Sequence, residues 1–453
     1  MGWGVGGKSL AGALLPGQDE GVSTVTESDA ASAAQATHGR IGLPTASALY
    51  VAAVLGTGIL VLPGLGVDAA GPASILAVAL VLVLSIPLAG TFAALAGRYP
   101  DGGGVATFVR LAFGDTAARI TGYWFLFGVG FGAPVVAALG GSYLSTALGL
   151  GREWVAVIGI GFLVAALALG LLGLRVSGAV QLGLSGLLVA VVVGVIASAA
   201  PAVQSANFTP FLPNGWSGVG LAVSLFVWAF AGGEAITHIA HEFRNPRRII
   251  ALATVIGMSV VGLAYLSLQL VTVGVFGAAG AQSEAPLIDL VAVNWPGFGP
   301  AAVAGIATII VLGVLNVYVP AFANLAASLG RDGHLPRWFA KGAEPGAVPR
   351  RAIALVAVLN LGYATVFFVF GFELQTFILI HTASMVSLYF IGMLAAVRLL
   401  KRGSVGWWMA LVSVVLTAAL LVLAWSHLVV PIVLALVAVA VTVIRRFRAR
   451  ARS

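Results

Sequence analysis

The chain has 453 residues, 60% of them hydrophobic and 8% charged, against roughly 25% charged in a soluble domain. Its mean hydropathy is +1.07, the value of an integral membrane protein. It contains no cysteine, which excludes disulfides, thiolate metal sites and cysteine nucleophiles. The net charge of +8 raises nucleic acid as a partner, a question that the placement of the charges decides.

Residues 1–44 are rich in Gly, Ala, Ser, Thr and acidic side chains and have no apolar h-region. They read as a disordered cytoplasmic tail, not a signal peptide. The stretch GWGVGGKS at residues 2–9 matches the P-loop pattern by chance, because a P-loop needs a strand before it and only Met1 precedes this one. Twelve runs then follow, each with the roughly 20 apolar residues that a membrane helix needs. They lie near 45–66, 71–96, 120–149, 153–174, 177–199, 217–243, 249–275, 299–329, 352–371, 374–397, 405–425 and 427–444. If the spans alternate, 22 of the 23 basic residues fall on one side and Arg152 alone on the other. That is the positive-inside pattern of a multi-pass protein of the plasma (inner) membrane with both termini cytoplasmic. The basic balance is therefore topology and contact with the lipid bilayer, not nucleic-acid binding.

Two spans carry interruptions. Span one contains VLGTGILVLPG, with Gly56, Thr57, Gly58 and Pro63. Span six contains WAFAGGEA, in which Gly232 and Gly233 precede Glu234, the one acid in the middle of an apolar span. A charge at the bilayer centre costs about 2.5–3.5 kcal/mol even on the lenient insertion scale, so such a residue faces a cavity or a partner. A neutral glutamic acid hydrogen-bonded between helices is the structural alternative. Spans one and six occupy matching positions if the first ten spans form two five-span halves. Paired interrupted spans of that kind point to a transporter binding site. Unwound backbone frees amides and carbonyls to hold a small polar solute, and amides at a half-helix N-terminus favour a carboxylate. Glu234 and His238 are one helical turn apart and form a proton-relay candidate, since histidine titrates near neutral pH; a packed, backbone-bonded His238 is the equal alternative. His241 and Glu242 read as a solvated helix end, and His381 in span ten as packing rather than chemistry.

These motifs resemble the amino acid–polyamine–organocation (APC) superfamily. The resemblance runs from about residue 45 to the end of span ten. It rests on GTGILVLPG, on RYPDGGG (98–104) and GLRVSGAVQ (173–181), on WAFAGGEA…HEFRNP, and on SLGRDGHLPRWFAK (328–341). Within the superfamily the pattern from Glu234 through His238 to Glu242, Phe243, Arg244, Asn245 and Pro246 is most similar to a bacterial group that exports L-methionine and branched-chain amino acids. LGTG (55–58), TGYWFLFGVGFGAP (121–134) and NVYVPAFANL (316–325) carry the same likeness. The resemblance implies an all-α, twelve-helix, LeuT-like fold with a 5+5 inverted repeat, broken helices one and six and two extra C-terminal helices. The core would be residues 45–399, with repeats 45–199 and 217–399. Helices eleven and twelve would occupy 400–444, and a basic cytoplasmic tail 445–453. An amino acid would bind at the breaks, its carboxylate on amides around Gly56, Thr57 and Gly58. Its ammonium would meet carbonyls around Trp228, Ala229 and Ala231, with Phe230, Gly232 and Gly233 completing the segment. Trp228 stands where related antiporters place a gating aromatic. Span five lacks the lysine that some proton-coupled relatives keep, so another group must carry any proton. The proline that the family places after Asn-Pro at the start of span seven is missing here, and Ala251 is its nearest match.

The presumed pocket walls, Trp228, Phe230, Ile236, Phe131 and Val135, are apolar apart from Glu234 and suit a neutral aliphatic or thioether side chain. The expected protein is thus a secondary active exporter of methionine, leucine, isoleucine or valine-like amino acids with protons as the coupling ion, and no cofactor or metal. An uptake permease or exchanger of the same fold is the alternative, and a transporter-like membrane sensor a remote one. An enzyme is disfavoured: HExxH and the Gly-x-Ser-x-Gly elbow are absent, and GLSG (183–186) and GWSG (215–218) are chance matches among 59 glycines. A channel would need polarity along a whole pore rather than at mid-span breaks.

Overall fold

A computed structural model describes residues 42–99, 104–173, 178–232, 245–279, 285–342 and 348–450. The described residues are helical throughout, with no strand. In chain order the α-helices are α1 (Leu43–Leu55), α2 (Leu62–Ala70), α3 (Ser74–Arg98), α4 (Gly104–Phe113), α5 (Asp115–Tyr123), α6 (Gly132–Ala147), α7 (Glu153–Leu171) and α8 (Gly178–Ala199). They continue with α9 (Gly215–Phe230), α10 (Pro246–Phe276), α11 (Pro286–Ala292), α12 (Phe298–Arg331), α13 (Arg350–Val369), α14 (Leu374–Leu399), α15 (Val405–Leu423) and α16 (Val429–Arg450). Helical caps follow the sequence locally: Asn245 accepts from the Arg248 amide at 3.5 Å and Ser404 from that of Trp407 at 3.3 Å.

Among the described residues, ten helical stretches are long and apolar enough to cross a membrane, where the sequence suggests twelve. The two expected spans without a full-length stretch of their own are the ones that carry glycine breaks. Span one is divided into α1 and α2, and α2 continues through a short turn into α3. The described part of span six is the sixteen-residue α9. The short helices α4 and α11 were not expected; each has ten residues or fewer, too few to register as a membrane run.

Apolar side chains line the outside as well as the inside, as they must where lipid replaces water. The helices differ in how far they are enclosed. The central windows of residues 115–147 and 374–399 are 83% and 78% buried, against 22% and 17% for α15 and α16. The stretch containing α5 and α6, together with α14, therefore forms the middle of the molecule, and the last two helices lie outside. α9 packs on α2, α3 and α14; α10 packs on α1 and α3; α8 packs on α1; and α12 packs on α6 and α7.

The motif SLGRDGHLPRWFAK is tied into this frame through His334. Buried Arg119 of α5 donates from Nε to His334 Nδ1 at 3.1 Å, and from Nη1 to Thr442 Oγ1 of α16. The Tyr123 hydroxyl donates to the His334 carbonyl at 2.8 Å. Burial, and next the adjacent Arg119 guanidinium, hold the His334 imidazole below its ordinary pKa. It stays a neutral acceptor for Arg119, so one loop histidine joins α5, the α12–α13 loop and, through Arg119, α16.

Candidate functional site

Span one breaks at a glycine. α1 ends at Gly56, whose φ of 38° lies in the region that glycine enters without steric cost. Thr57 follows, then a 3₁₀ turn over Gly58–Leu60, and α2 begins at Leu62. The turn uses the amides of Leu60 and Val61, which donate to the carbonyls of Thr57 and Gly58 at 3.1 and 3.2 Å. Between α1 and this turn, Gly56 and Thr57 take the chain out of α geometry. The carbonyls beside the break are held from outside: Leu55 by the Tyr265 hydroxyl at 3.4 Å, Leu60 by the Tyr143 hydroxyl at 2.6 Å, and Pro63 by Gln269 Nε2 at 3.3 Å. Three buried side chains therefore hold the irregular backbone in place.

Span six breaks beside it. α9 ends at Phe230, Ala231 is extended, and Gly232 has a φ of 114°. The Ala231 amide folds back on the carbonyls of Val227 and Trp228, each at 3.2 Å. The carbonyls of Ala229 and Phe230 follow at the helix end, where the last carbonyls lack intrahelical partners. A Cβ on Gly232 would lie 2.5 Å from the Ala53 carbonyl oxygen of α1; one on Gly58 would lie 2.7 Å from Tyr265 Oη and 3.0 Å from Trp228 Cδ1. The two breaks thus touch, and both contacts depend on the absence of a side chain.

Trp228 is 7% exposed. Its ring rests against that of His381, centroids 4.3 Å apart. His381 Nδ1 lies 2.8 Å from the Val129 carbonyl. A carbonyl only accepts, so Nδ1 carries the proton. Val129 belongs to an irregular stretch between α5 and α6, a π turn over Trp124–Gly128 followed by a 3₁₀ turn over Val129–Phe131. Phe131 stacks on Tyr363 of α13 at 4.2 Å, while Val135 is fully buried in the core. His381 thus packs between the irregular helical stretch on one side and the tryptophan beside the second break on the other.

Of the residues expected at the site, Gly56, Thr57, Gly58, Trp228, Ala229, Ala231 and Gly232 lie at the two adjoining breaks, and the backbone of Phe230 ends α9. Gly233, Glu234, Ile236, His238, His241 and Glu242 lie outside the described residues. Tyr143, Tyr265, Gln269 and the amide of Ile59 were not anticipated. An aromatic or amide side chain in an apolar run gives no sign in sequence of the carbonyl it will meet. Among the described residues no cluster of three or more His, Asp or Glu side chains is placed to hold a metal.

An all-helical membrane protein with two interrupted spans that meet inside it has the make-up of a multi-pass permease. The chain belongs to the amino acid permease family, whose model matches residues 41–447. It is similar to the uncharacterized amino acid permease YecA of Bacillus subtilis, 32% identical over 390 residues that cover 86% of this chain and 92% of the relative. The L-methionine/branched-chain amino acid exporter YjeH of Escherichia coli is 28% identical over 80% of this chain and 86% of its own. The branched-chain amino acid permease BcaP of Bacillus subtilis is 28% identical over 64% and 66%. The protein is a transporter by family and not an enzyme.

Proposed function

We propose that the protein is a secondary active transporter that exports neutral amino acids with methionine-, leucine-, isoleucine- or valine-like side chains by alternating access. The observation that carries this reading is the contact between the breaks. The backbone around Thr57, Gly58 and Ile59 stands beside the end of α9, amides on one side and helix-terminal carbonyls on the other. An α-amino acid carries a carboxylate for the first and an ammonium for the second. Trp228 and Phe131 offer its side chain apolar contact. The likeness to the Escherichia coli exporter of L-methionine and branched-chain amino acids supports the substrate class and the direction. Uptake by the same fold is the second reading; the branched-chain amino acid permease of Bacillus subtilis, at the same identity, supports the substrate class alone. Twelve spans in two inverted halves, 45–199 and 217–399, belong to the proposal, with helices eleven and twelve over 400–444 and tails at 1–44 and 445–453.

The test is flux in proteoliposomes with a panel of labelled amino acids, with and without a pH gradient. Methionine, leucine, isoleucine and valine are expected to exchange, and lysine and glutamate not. Flux confined to charged amino acids overturns the substrate assignment, and the effect of gradient polarity separates export from uptake. The proposed orientation puts both tails in the cytoplasm. In a chain with no native cysteine, a single cysteine at position 152 is expected to react with an impermeant reagent on intact cells and one at position 401 not to; the reverse pattern inverts the topology.

A further inference from the structure

One large recess in the described structure lies away from the breaks. It is an outward-facing groove of about 1120 Å³ whose walls come from α3, α10 and α15. α10 and α15 both pack on α3 and flank it. Val83, Ile86, Val255, Leu263 and Val405 line it and are each more than half exposed, so it opens to the bilayer and not to the transport path. Its volume exceeds the roughly 300–1,000 Å³ of small-solute sites. From Leu82 to Arg98 it runs along sixteen steps of α3, about 24 Å at 1.5 Å per residue. That is longer than the roughly 15 Å that half of a 30 Å hydrocarbon core offers.

One end is chemically different from the rest. Arg98 and Lys401 line the groove there together with Ser404, Val405 and Gly406. Both cations are exposed, and neither has a carboxylate within 4 Å among the described residues. Ser404 caps α15, and the Val405 and Gly406 amides that follow have no acceptor among the described residues. Two cations and the positive end of a helix thus meet at the mouth of a long apolar channel.

We infer that this groove holds an anionic phospholipid, its phosphate between Arg98, Lys401 and the start of α15 and its acyl chains along α3 between α10 and α15. Charge complementarity selects this occupant. An apolar helix from a second copy of the chain would fill the groove but bring no anion to Arg98 and Lys401. A zwitterionic phospholipid would set its own cation beside theirs.

The test uses the full-length protein, extracted in a mild detergent and supplied with equal amounts of phosphatidylglycerol and phosphatidylcholine of matched chains. Retained lipid is counted by native mass spectrometry. Wild type is expected to keep phosphatidylglycerol in preference. The Arg98→Ala and Lys401→Ala changes are each expected to cut that preference about fivefold, the contribution of one basic residue near an anionic surface. Arg98→Lys is expected to keep most of it. Val255→Trp with Leu263→Trp, both on outward positions, is expected to lower retention of either lipid by occupying the channel. Equal retention of the two lipids by wild type, or an undiminished preference in the double alanine variant, overturns the assignment. So does efficient pairing of two copies through a cysteine placed at Val255, which would give the groove to a second protomer. None of these readouts depends on transport, so they stand apart from the amino-acid reading.

Discussion

Gly232→Ala is expected to leave the protein inserted and monodisperse yet lower its affinity for methionine or leucine at least tenfold. Two costs combine. The φ of 114° at Gly232 lies outside what an L side chain adopts readily, and holding such a residue there costs about 1–3 kcal/mol. The new Cβ would also sit 2.5 Å from the Ala53 carbonyl oxygen, a backbone atom of α1 with no rotamer through which to withdraw. The backbone at Gly232 must therefore move off α1, and the two breaks lose their contact. A loss of 1.4 kcal/mol is one factor of ten in affinity, and the strain alone is of that size. Gly371→Ala is the control. Its φ is 68°, but no neighbour lies within 4 Å of the added carbon, so it bears the backbone cost without the collision and lies far along the chain from either break. Equilibrium binding to the purified variants decides the matter. Affinity unchanged in Gly232→Ala, or reduced as much in Gly371→Ala, means that the breaks do not form the site. Gly58→Leu is expected to behave like Gly232→Ala for a separate reason. Its side chain would displace the Tyr265 hydroxyl, 2.7 Å from the Cβ position, and with it the bond that holds the Leu55 carbonyl.

Those two glycines were legible before any coordinates, because a helix-weakening pair inside an apolar run costs free energy that ordinary packing does not require. Most span ends were legible too: outside spans one and six the helices start and stop within about six residues of the apolar runs, with Asn245–Pro246 and Ser404 marking two starts. The irregular stretch at 124–131 was not. WFLFGVGF reads as an unbroken helical segment, and its departure from α geometry is settled by what surrounds it. His381 takes the Val129 carbonyl and Tyr363 the Phe127 carbonyl at 3.0 Å, both from helices more than two hundred residues on. Nor does a sequence say which way Tyr143 points. Its hydroxyl joins the first break to α11, donating to Leu60 and accepting from the Leu287 amide at 3.3 Å, and only the fold brings those segments together. Residues that interrupt a local rule can be found from sequence. Residues that repair the interruption from a distance cannot.

Glu234→Gln carries the second large expected effect: amino-acid binding retained, and the response of transport to a pH gradient lost. Glu234 lies outside the described residues, and the prediction rests on its place in the chain. It follows Gly232 by two residues, just past the end of α9 and the contact with α1. In the middle of a membrane span an ionised carboxylate costs about 2.5–3.5 kcal/mol, so an acid kept in such a run needs either a permanent neutralising arrangement or a proton that comes and goes. α8, the fifth span, has no charged residue, so the proposal turns to Glu234 and, four residues on in the sequence, His238. Glutamine keeps the size of the side chain and a hydrogen-bonding face but cannot ionise. If the glutamic acid stays neutral throughout the cycle, Gln is nearly silent in every assay. If its proton is exchanged as the site changes sides, the variant still exchanges amino acid for amino acid, while concentration driven by the gradient falls to the level seen without one. Glu234→Ala should do worse in both assays, since neighbouring polar groups are then left unpaired at about 1–3 kcal/mol. Counterflow and pH-driven flux measured side by side on the Gln variant separate the two readings, and pH-driven transport at the wild-type rate would end the proton-coupling proposal while leaving the amino-acid site standing.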